Sequence, residues 1–174
     1  GVCQGHVDMK WCPGVDFSAG SLGMGISFGL GCALAARLDE SNRTTWVMVG
    51  DGELQEGQIW EAVMSAVHHE VGKLNVIVDR NNIQNDDFCD VQMRMFDVGE
   101  KFSSFGWKVK EIDGHNMGEV VDAIDWADAE TNHPCCIVMH TIKGKGVSFM
   151  ENNPSFHGAA PNDEQYAIAM EELQ

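Results

Sequence analysis

The chain has 174 residues, of which 44% are hydrophobic and 22% charged, a composition typical of one globular domain with a sizeable core. Its formal net charge of −16 disfavours nucleic acids and anionic membranes as partners. No apolar run is long enough to span a bilayer, and no signal peptide is recognisable.

The cysteine pattern favours a reducing compartment. The chain contains six cysteines, and none of them belongs to a CxxC pair. Several lie in apolar runs, so we predict reduced thiols in a cytoplasmic protein. The chain opens on Gly1-Val2, without methionine and within a predicted loop. We therefore expect a single domain over residues 1–174 that lacks its N-terminal part.

Apolar runs typical of strands alternate along the chain with segments of helical periodicity. After a loop over residues 1–20, we predict helices at residues 21–38, 58–70, 96–105, 117–130 and 161–173. We predict strands at residues 45–49, 72–78, 107–112 and 135–141, and loops over residues 80–92 and 143–158. This alternation predicts an α/β fold with a doubly wound parallel sheet and helices on both faces.

Oxygen-bearing side chains follow the first two predicted strands. Gly50-Asp51-Gly52 comes directly after the first strand, and Asn81-Asn82 follows the second about thirty residues later. Open α/β sheets bind ligands at the carboxyl ends of their strands. Mg²⁺ prefers oxygen ligands, which the Asp51 carboxylate, the Asn81 amide and the main-chain carbonyl of Ile83 can supply. Either motif alone is also typical of a tight turn. Both motifs together, each after a strand, are far more specific for a metal site.

Three further segments carry side chains suited to an anionic ligand. His6 lies in the N-terminal loop, where an ordinary surface histidine would look the same. The residues 143–146, Lys-Gly-Lys-Gly, follow the last strand and suit a phosphate or a carboxylate, although a solvated basic turn explains them equally well. His157 lies near the end of a long segment without periodicity, which is typical of an active-site loop.

With these motifs the chain resembles the thiamine diphosphate enzymes, and transketolases in particular. GDG at residues 50–52 paired with NN at residues 81–82 is the signature of the wider family. The form GDGELQEGQIWEA, which starts at Gly50, resembles transketolases that are split into two subunits. The likeness covers nearly the whole chain and includes GH at residues 5–6, PG at 13–14, GSLGMG at 20–25, TIKGKG at 141–146 and HG at 157–158.

The resemblance implies a site for thiamine diphosphate with Mg²⁺ or Ca²⁺. It implies metal ligands at Asp51, Asn81 and Ile83, and catalytic roles for His6, His157 and Glu56. It implies cofactor contacts at His6, Gly20, Ser21, Leu22, Gly52, Glu53, Asn81, Ile83, Lys143 and His157.

The resemblance also bears on Glu56, His115 and Asn85. In transketolases, the glutamate that matches Glu56 lies at the dimer interface, among acids proposed to couple two active sites. The DGH at residues 113–115 is a turn in the family, so we assign His115 a structural role. The chain departs from the family at Asn85, because an apolar residue usually packs on the cofactor there.

The implied reaction transfers a two-carbon ketol unit from a ketose phosphate, or a similar anionic ketose, to an aldose. Family members take a cofactor-activating glutamate from a pyrimidine-binding domain, which these 174 residues do not contain. The resemblance therefore implies a second subunit that carries this domain, most simply in an α2β2 assembly.

Other functions stay open at this point. Two are thiamine diphosphate enzymes, namely the α subunit of a 2-oxoacid dehydrogenase and a deoxyxylulose-phosphate synthase. A third, of another class, is a non-catalytic module that binds phosphate and regulates a partner. The intact His6, Asp51, Asn81 and His157 argue against that last class.

Overall fold

A computed structural model describes residues 6–174, in which strands and helices alternate as predicted. The strands are β1 (Thr45–Gly50), β2 (Leu74–Arg80), β3 (Lys108–Asp113) and β4 (Cys135–His140). The helices are α1 (Met24–Leu38), α2 (Gly57–His68), α3 (Cys89–Gln92), α4 (Val98–Ser104), α5 (Met117–Ala129) and α6 (Asp163–Glu172). Two short 3₁₀ turns cover Glu53–Gln55 and Pro154–Phe156.

The four strands form one parallel sheet in the order β1-β2-β4-β3. Val76 and Val78 of β2 belong to a core formed with α1, α2 and α4 on one face. Cys135 and Ile137 of β4 pack with Ala123 of α5 in a second core on the other face. Successive side chains of a strand point to opposite faces, so one apolar run supplies both cores. The predicted parallel sheet with helices on both faces is confirmed.

Several element boundaries differ from the predicted ones. The first helix begins at Met24 rather than at residue 21, because Gly23 has a left-handed φ of 83° that a helix cannot contain. β2 continues to Arg80, which pairs with His140 of β4. The segment 80–92 was predicted as loop throughout, and this is wrong for its last turn, which forms α3.

Asn162 and His115 hold local structure away from the cleft, and the structural role predicted for His115 is confirmed. Asn162 caps α6, since its side chain accepts a hydrogen bond from the Gln165 N–H at 2.9 Å. The Gln165 side chain accepts one from the Asn162 N–H at 3.0 Å, which completes a capping box. His115 has a structural role, because its Nε2 accepts the Ile142 N–H at 2.8 Å and so ties the β3–α5 turn to the chain after β4.

The thiols of Cys32, Cys89, Cys135 and Cys136 are in no disulfide, as predicted, while Cys3 lies outside the described residues. Within residues 6–174, no helix is both long enough and apolar enough to cross a membrane.

Close packing of α1 on the sheet depends on Gly29. A Cβ at this position would lie 2.4 Å from Cγ2 of Val47 in β1, well inside van der Waals contact. Gly31, two residues along the same helix, is exposed, and a Cβ at this position would point into open space. Close packing against the sheet therefore requires glycine at residue 29 and not at residue 31.

Gly29→Ala should lower the free energy of unfolding by about 1–3 kcal/mol, because the added methyl group forces α1 away from β1. Gly31→Ala, the matched control, should raise it by about 0.5–1 kcal/mol, since alanine reduces the entropy of the unfolded chain without a clash. Urea unfolding followed by circular dichroism measures both values. Equal effects of the two substitutions would contradict the close helix–sheet contact.

Candidate active site

A cleft of about 460 Å³ opens at the carboxyl ends of β1 and β2. Parallel strands deliver their C-terminal residues to the same edge, so the sheet itself brings the two motifs together. Nine of the predicted site residues line the cleft: Leu22, Asp51, Gly52, Glu53, Glu56, Asn81, Ile83, Lys143 and His157. Five residues not predicted as site residues also line it: Gly50, Gln55, Asp79, Gln84 and Asn85.

His6, Gly20 and Ser21 do not line this cleft within the described part of the chain. His6 is exposed and lies beside Gly20, where a built Cβ would be 3.8 Å from Cδ2 of the imidazole. The histidine and the turn before α1 are therefore neighbours, on the Leu22 side of the cleft.

The Asp51 carboxylate is 1% exposed and accepts hydrogen bonds at both of its oxygens. Its Oδ2 accepts from Arg80 Nη1 at 2.8 Å and from the Asn82 N–H at 2.5 Å. Its Oδ1 accepts from the Gly52 N–H at 2.8 Å and from the Cys89 thiol at 3.3 Å. Burial, and then the Asp51 charge, raises the pKa of the Cys89 thiol to about 12, so the thiol keeps its proton and stays a donor.

Asn81 is oriented by a chain of side chains behind it. Its Nδ2 donates to Asp79 Oδ2 at 2.8 Å, and the other oxygen of Asp79 accepts from the Thr141 hydroxyl. The Asn81 Oδ1 accepts from the Ile83 N–H at 2.9 Å and has a second lone pair available. Asp79 and Thr141 thus fix which atom of the Asn81 amide is the acceptor.

The loop after β2 folds back on the Gly50–Gly52 turn. Asn82 has a φ of 61°, a left-handed value that asparagine tolerates better than most residues. Its main-chain carbonyl accepts a hydrogen bond from the Cys89 N–H at 2.8 Å. A Cβ on Gly52 would lie 2.7 Å from the Cβ of Gln84. Gly52 is thus required by its contact with this loop, independently of the cofactor contact that the resemblance implies.

Glu53 joins three segments through its carboxylate. One oxygen accepts the Gly23 N–H at 2.9 Å and the other accepts the Gly50 N–H at 3.1 Å. Both oxygens are therefore engaged by main-chain donors, and Glu53 holds the start of α1 against the end of β1. Glu56 is exposed at the cleft wall.

His157 lies at the rim of the cleft between a cation and an anion. Loss of hydration lowers its pKa below the ordinary value of 6.5, and the Lys143 ammonium lowers it further. The Asp86 carboxylate opposes both effects. Asp86 also accepts a hydrogen bond from Asn85 Nδ2 at 2.9 Å, so the polar residue at the usually apolar position is held by its neighbour.

The donor set fits a hard divalent cation. The Asp51 carboxylate, the Asn81 amide and Ile83 face one cleft, and all three residues offer oxygen atoms. No group of three or more His, Cys, Asp or Glu side chains within residues 6–174 could hold a metal ion. The candidate set has one carboxylate only, so a bound cation would draw its remaining ligands from a phosphate or from water. Lys143 in the same cleft suits such a phosphate.

Comparison with known proteins identifies the family. The family model described as "Transketolase, thiamine diphosphate binding domain" matches residues 1–173. The chain belongs to this transketolase family.

The family includes curated relatives that are longer than this chain. The 6-deoxy-6-sulfo-D-fructose transketolase subunit SqwG of Clostridium sp. (strain MSTE9) is 38% identical over 169 residues, which cover 97% of this chain and 62% of the relative. An apulose-4-phosphate transketolase subunit from Phocaeicola vulgatus is 35% identical over 172 residues, which cover 99% of this chain and 61% of the relative. The chain thus spans less than two thirds of these relatives.

Solved structures agree with the assignment to the transketolase family. The crystal structure of transketolase from Campylobacter jejuni superposes with a TM-score of 0.89 and 30% sequence identity. That match covers 97% of this chain and 27% of the other.

Sequence reasoning missed the residues that hold the predicted ligands in this transketolase domain. Asp79 and Arg80 end β2, Thr141 follows β4 at the same edge of the sheet, and Cys89 begins α3 after the loop that returns to this edge. Alternation along β2 places Asp79 on the same side as Asn81, which is a signal that the sequence does contain. The Cys89–Asp51 contact depends on the loop conformation and carries no such signal.

Lys143→Met should raise the pKa of His157, because it removes the cation that lowers it, and Asp86→Asn should lower that pKa further. An NMR titration of the His157 ring protons, assigned with His157→Gln, measures both shifts. Lys145→Met is the matched control, since Lys145 pairs with Glu151 at 3.6 Å and should leave the pKa of His157 unchanged. An unchanged or lowered pKa in Lys143→Met would contradict the placement of Lys143 beside His157.

Proposed function

We propose that this chain is the diphosphate-binding part of a transketolase that depends on thiamine diphosphate and Mg²⁺ (or Ca²⁺). The reaction would transfer a two-carbon ketol unit from an anionic ketose to an aldose. The observation that carries the proposal is the convergence of Asp51, Asn81 and Ile83 with Lys143 and His157 in one cleft at the carboxyl edge of the sheet.

Within this proposal, each residue has a stated task. Asp51, Asn81 and the Ile83 carbonyl hold the metal, and Lys143 and Gly52 contact the diphosphate, with Leu22 at the opposite wall. Glu53 keeps the walls in place through its two main-chain hydrogen bonds. When bound, thiamine diphosphate supplies the carbon nucleophile that attacks the ketose carbonyl, which is chemistry that no side chain provides.

The two histidines would serve the proton transfers. A lowered pKa keeps His157 neutral at pH 7, so its imidazole can accept a proton from a substrate hydroxyl or donate through its own N–H. His6, next to the Gly20–Leu22 turn, would bind substrate oxygens from the other side. A neutral His157 imidazole and one lysine suit an anionic substrate better than further carboxylates would.

Relatives support a partner subunit and an anionic substrate. Both relatives described above are named as subunits, and the substrates in their names carry a sulfo group and a phosphate group. We propose that a second subunit supplies the pyrimidine-binding domain in an α2β2 assembly, and that the anionic end of the ketose is bound largely by that subunit. Thiols such as Cys89 and Cys136, which are in no disulfide, are consistent with the cytoplasm, which we propose as its location.

Asp51→Asn should weaken the affinity for thiamine diphosphate in Mg²⁺ roughly ten- to hundredfold, because it removes the one anionic protein ligand of the metal. His6→Ala should leave that affinity within about twofold and reduce turnover on the order of 10²–10⁴, as expected for a residue in proton transfer. Calorimetry and a ketol-transfer assay measure the two effects. Unchanged cofactor affinity in Asp51→Asn would refute the metal assignment.

The chain alone should show no ketol transfer at saturating cofactor and Mg²⁺, and should become active with the product of the neighbouring gene. The physical reason is that, in this proposal, the second subunit supplies the pyrimidine-binding domain and with it the glutamate that activates the cofactor. Substantial turnover by the isolated chain would instead require a base in the cleft, with Glu56 the first candidate. Pyruvate decarboxylation by the reconstituted enzyme would point to a 2-oxoacid dehydrogenase or a deoxyxylulose-phosphate synthase.

A further inference from the structure

Arg80 places a fixed positive charge against the candidate metal ligand. Its Nη1 donates to Asp51 Oδ2 at 2.8 Å, and the two side chains are 14% and 1% exposed. A buried carboxylate without a counter-ion is strongly disfavoured in a folded protein, so this contact stabilises the chain in the absence of a metal.

The guanidinium approaches Asp51 from behind the cofactor cleft. Arg80 does not line that cleft, and instead lines a separate cavity of about 300 Å³ together with Asp90, Glu111 and His140. Its Nη2 lies 3.5 Å from Asp90 Oδ1, whose side chain is 41% exposed. The Arg80 side chain thus lies between the two cavities. It contacts Asp51 on the side of the cofactor cleft and Asp90 on the other side.

The same carboxylate is saturated by donors. Arg80 and the Asn82 N–H occupy Oδ2, while the Gly52 N–H and the Cys89 thiol occupy Oδ1, which uses the approximately four lone-pair sites of a carboxylate. A cation that enters from the cleft meets an Asp51 whose charge is already neutralised. It must share an oxygen with an existing donor, and among these donors Arg80 alone carries a full positive charge.

We propose that Arg80 is the internal counter-ion of Asp51, which stabilises the metal-free chain and thereby weakens the binding of the divalent cation. The two effects have one cause, because a positive charge beside a buried carboxylate lowers its energy when the site is empty and repels a second cation. This inference rests on the proposed function, in which Asp51 is a metal ligand. It makes Arg80 a residue that sets metal affinity without contacting metal, cofactor or substrate.

The test compares three substitutions that separate charge from hydrogen bonding. Arg80→Met removes both, Arg80→Gln removes the charge and keeps an N–H donor, and Arg80→Lys keeps the charge. The protein is purified in its native assembly and titrated with Mn²⁺, first alone and then with thiamine diphosphate, while EPR measures the free ion. Arg80→Met and Arg80→Gln should tighten Mn²⁺ binding by about tenfold, comparable to the loss of one charged hydrogen bond, and Arg80→Lys should stay near wild type.

Thermal unfolding provides a readout that does not depend on activity. In EDTA, the midpoint should fall in Arg80→Met and Arg80→Gln, and added Mn²⁺ should raise it more in these variants than in the wild type. Arg43→Met is the matched control, because Arg43 pairs with Asp39 at 2.9 Å on the surface and should change neither measurement. If Arg80→Met does not fold, the comparison of Gln with Lys still decides the sign.

Weaker or unchanged Mn²⁺ binding in Arg80→Gln would overturn the proposal and make Arg80 a residue that only orients Asp51. Failure of the underlying metal assignment has a different signature. In that case Asp51→Asn would bind Mn²⁺ as well as the wild type does, and this result would not depend on the Arg80 variants.

Discussion

The buried carboxylate of Asp51 is the interaction on which the rest of the site depends. Its four donors come from the turn after β1, from the end of β2 and from the segment that follows β2, so one side chain fastens three segments at the carboxyl edge of the sheet. Such a carboxylate is stable only when every acceptor site is used. The geometry of the candidate metal ligands is therefore determined by the folding of the chain and does not wait for a ligand.

The sheet accounts for why the candidate ligands lie in one cleft. Gly50 of β1 lies in register with Asp79 of β2, and the Asp51 N–H donates to the Asp79 carbonyl at 3.2 Å. The residues after both strands therefore emerge side by side. Thr141, after β4, extends the same edge by its hydrogen bond to Asp79. The cleft results from the register of the parallel strands and from the turns that follow β1 and β2. These turns approach each other at Gly52, and the second turn reverses at Asn82.

The sequence predicted the fold and much of the lining of the cleft better than it predicted the residues that support that lining. Alternating strands and helices determine the parallel sheet, and strand ends identify Asp51 and Asn81, because both signals are local patterns. Arg80 had no such signal, since a basic residue after a strand is usually solvated and its burial against Asp51 depends on the return of the loop. Glu53 was predicted to contact the cofactor from its motif, yet its two main-chain partners are visible only in three dimensions.

The rim of the cleft differs from its floor in a way that bears on evolution. Asn85 and Asp86 are exposed, and they bond to each other rather than to the sheet. Substitutions there cost little folding stability, whereas any change at Asp51 disturbs the edge of the sheet. New substrate preferences can therefore arise by mutation of the rim while the inherited floor is kept. Divergence at the cleft should therefore concentrate at Asn85 and Asp86 and stop short of Cys89, which is buried against Asp51.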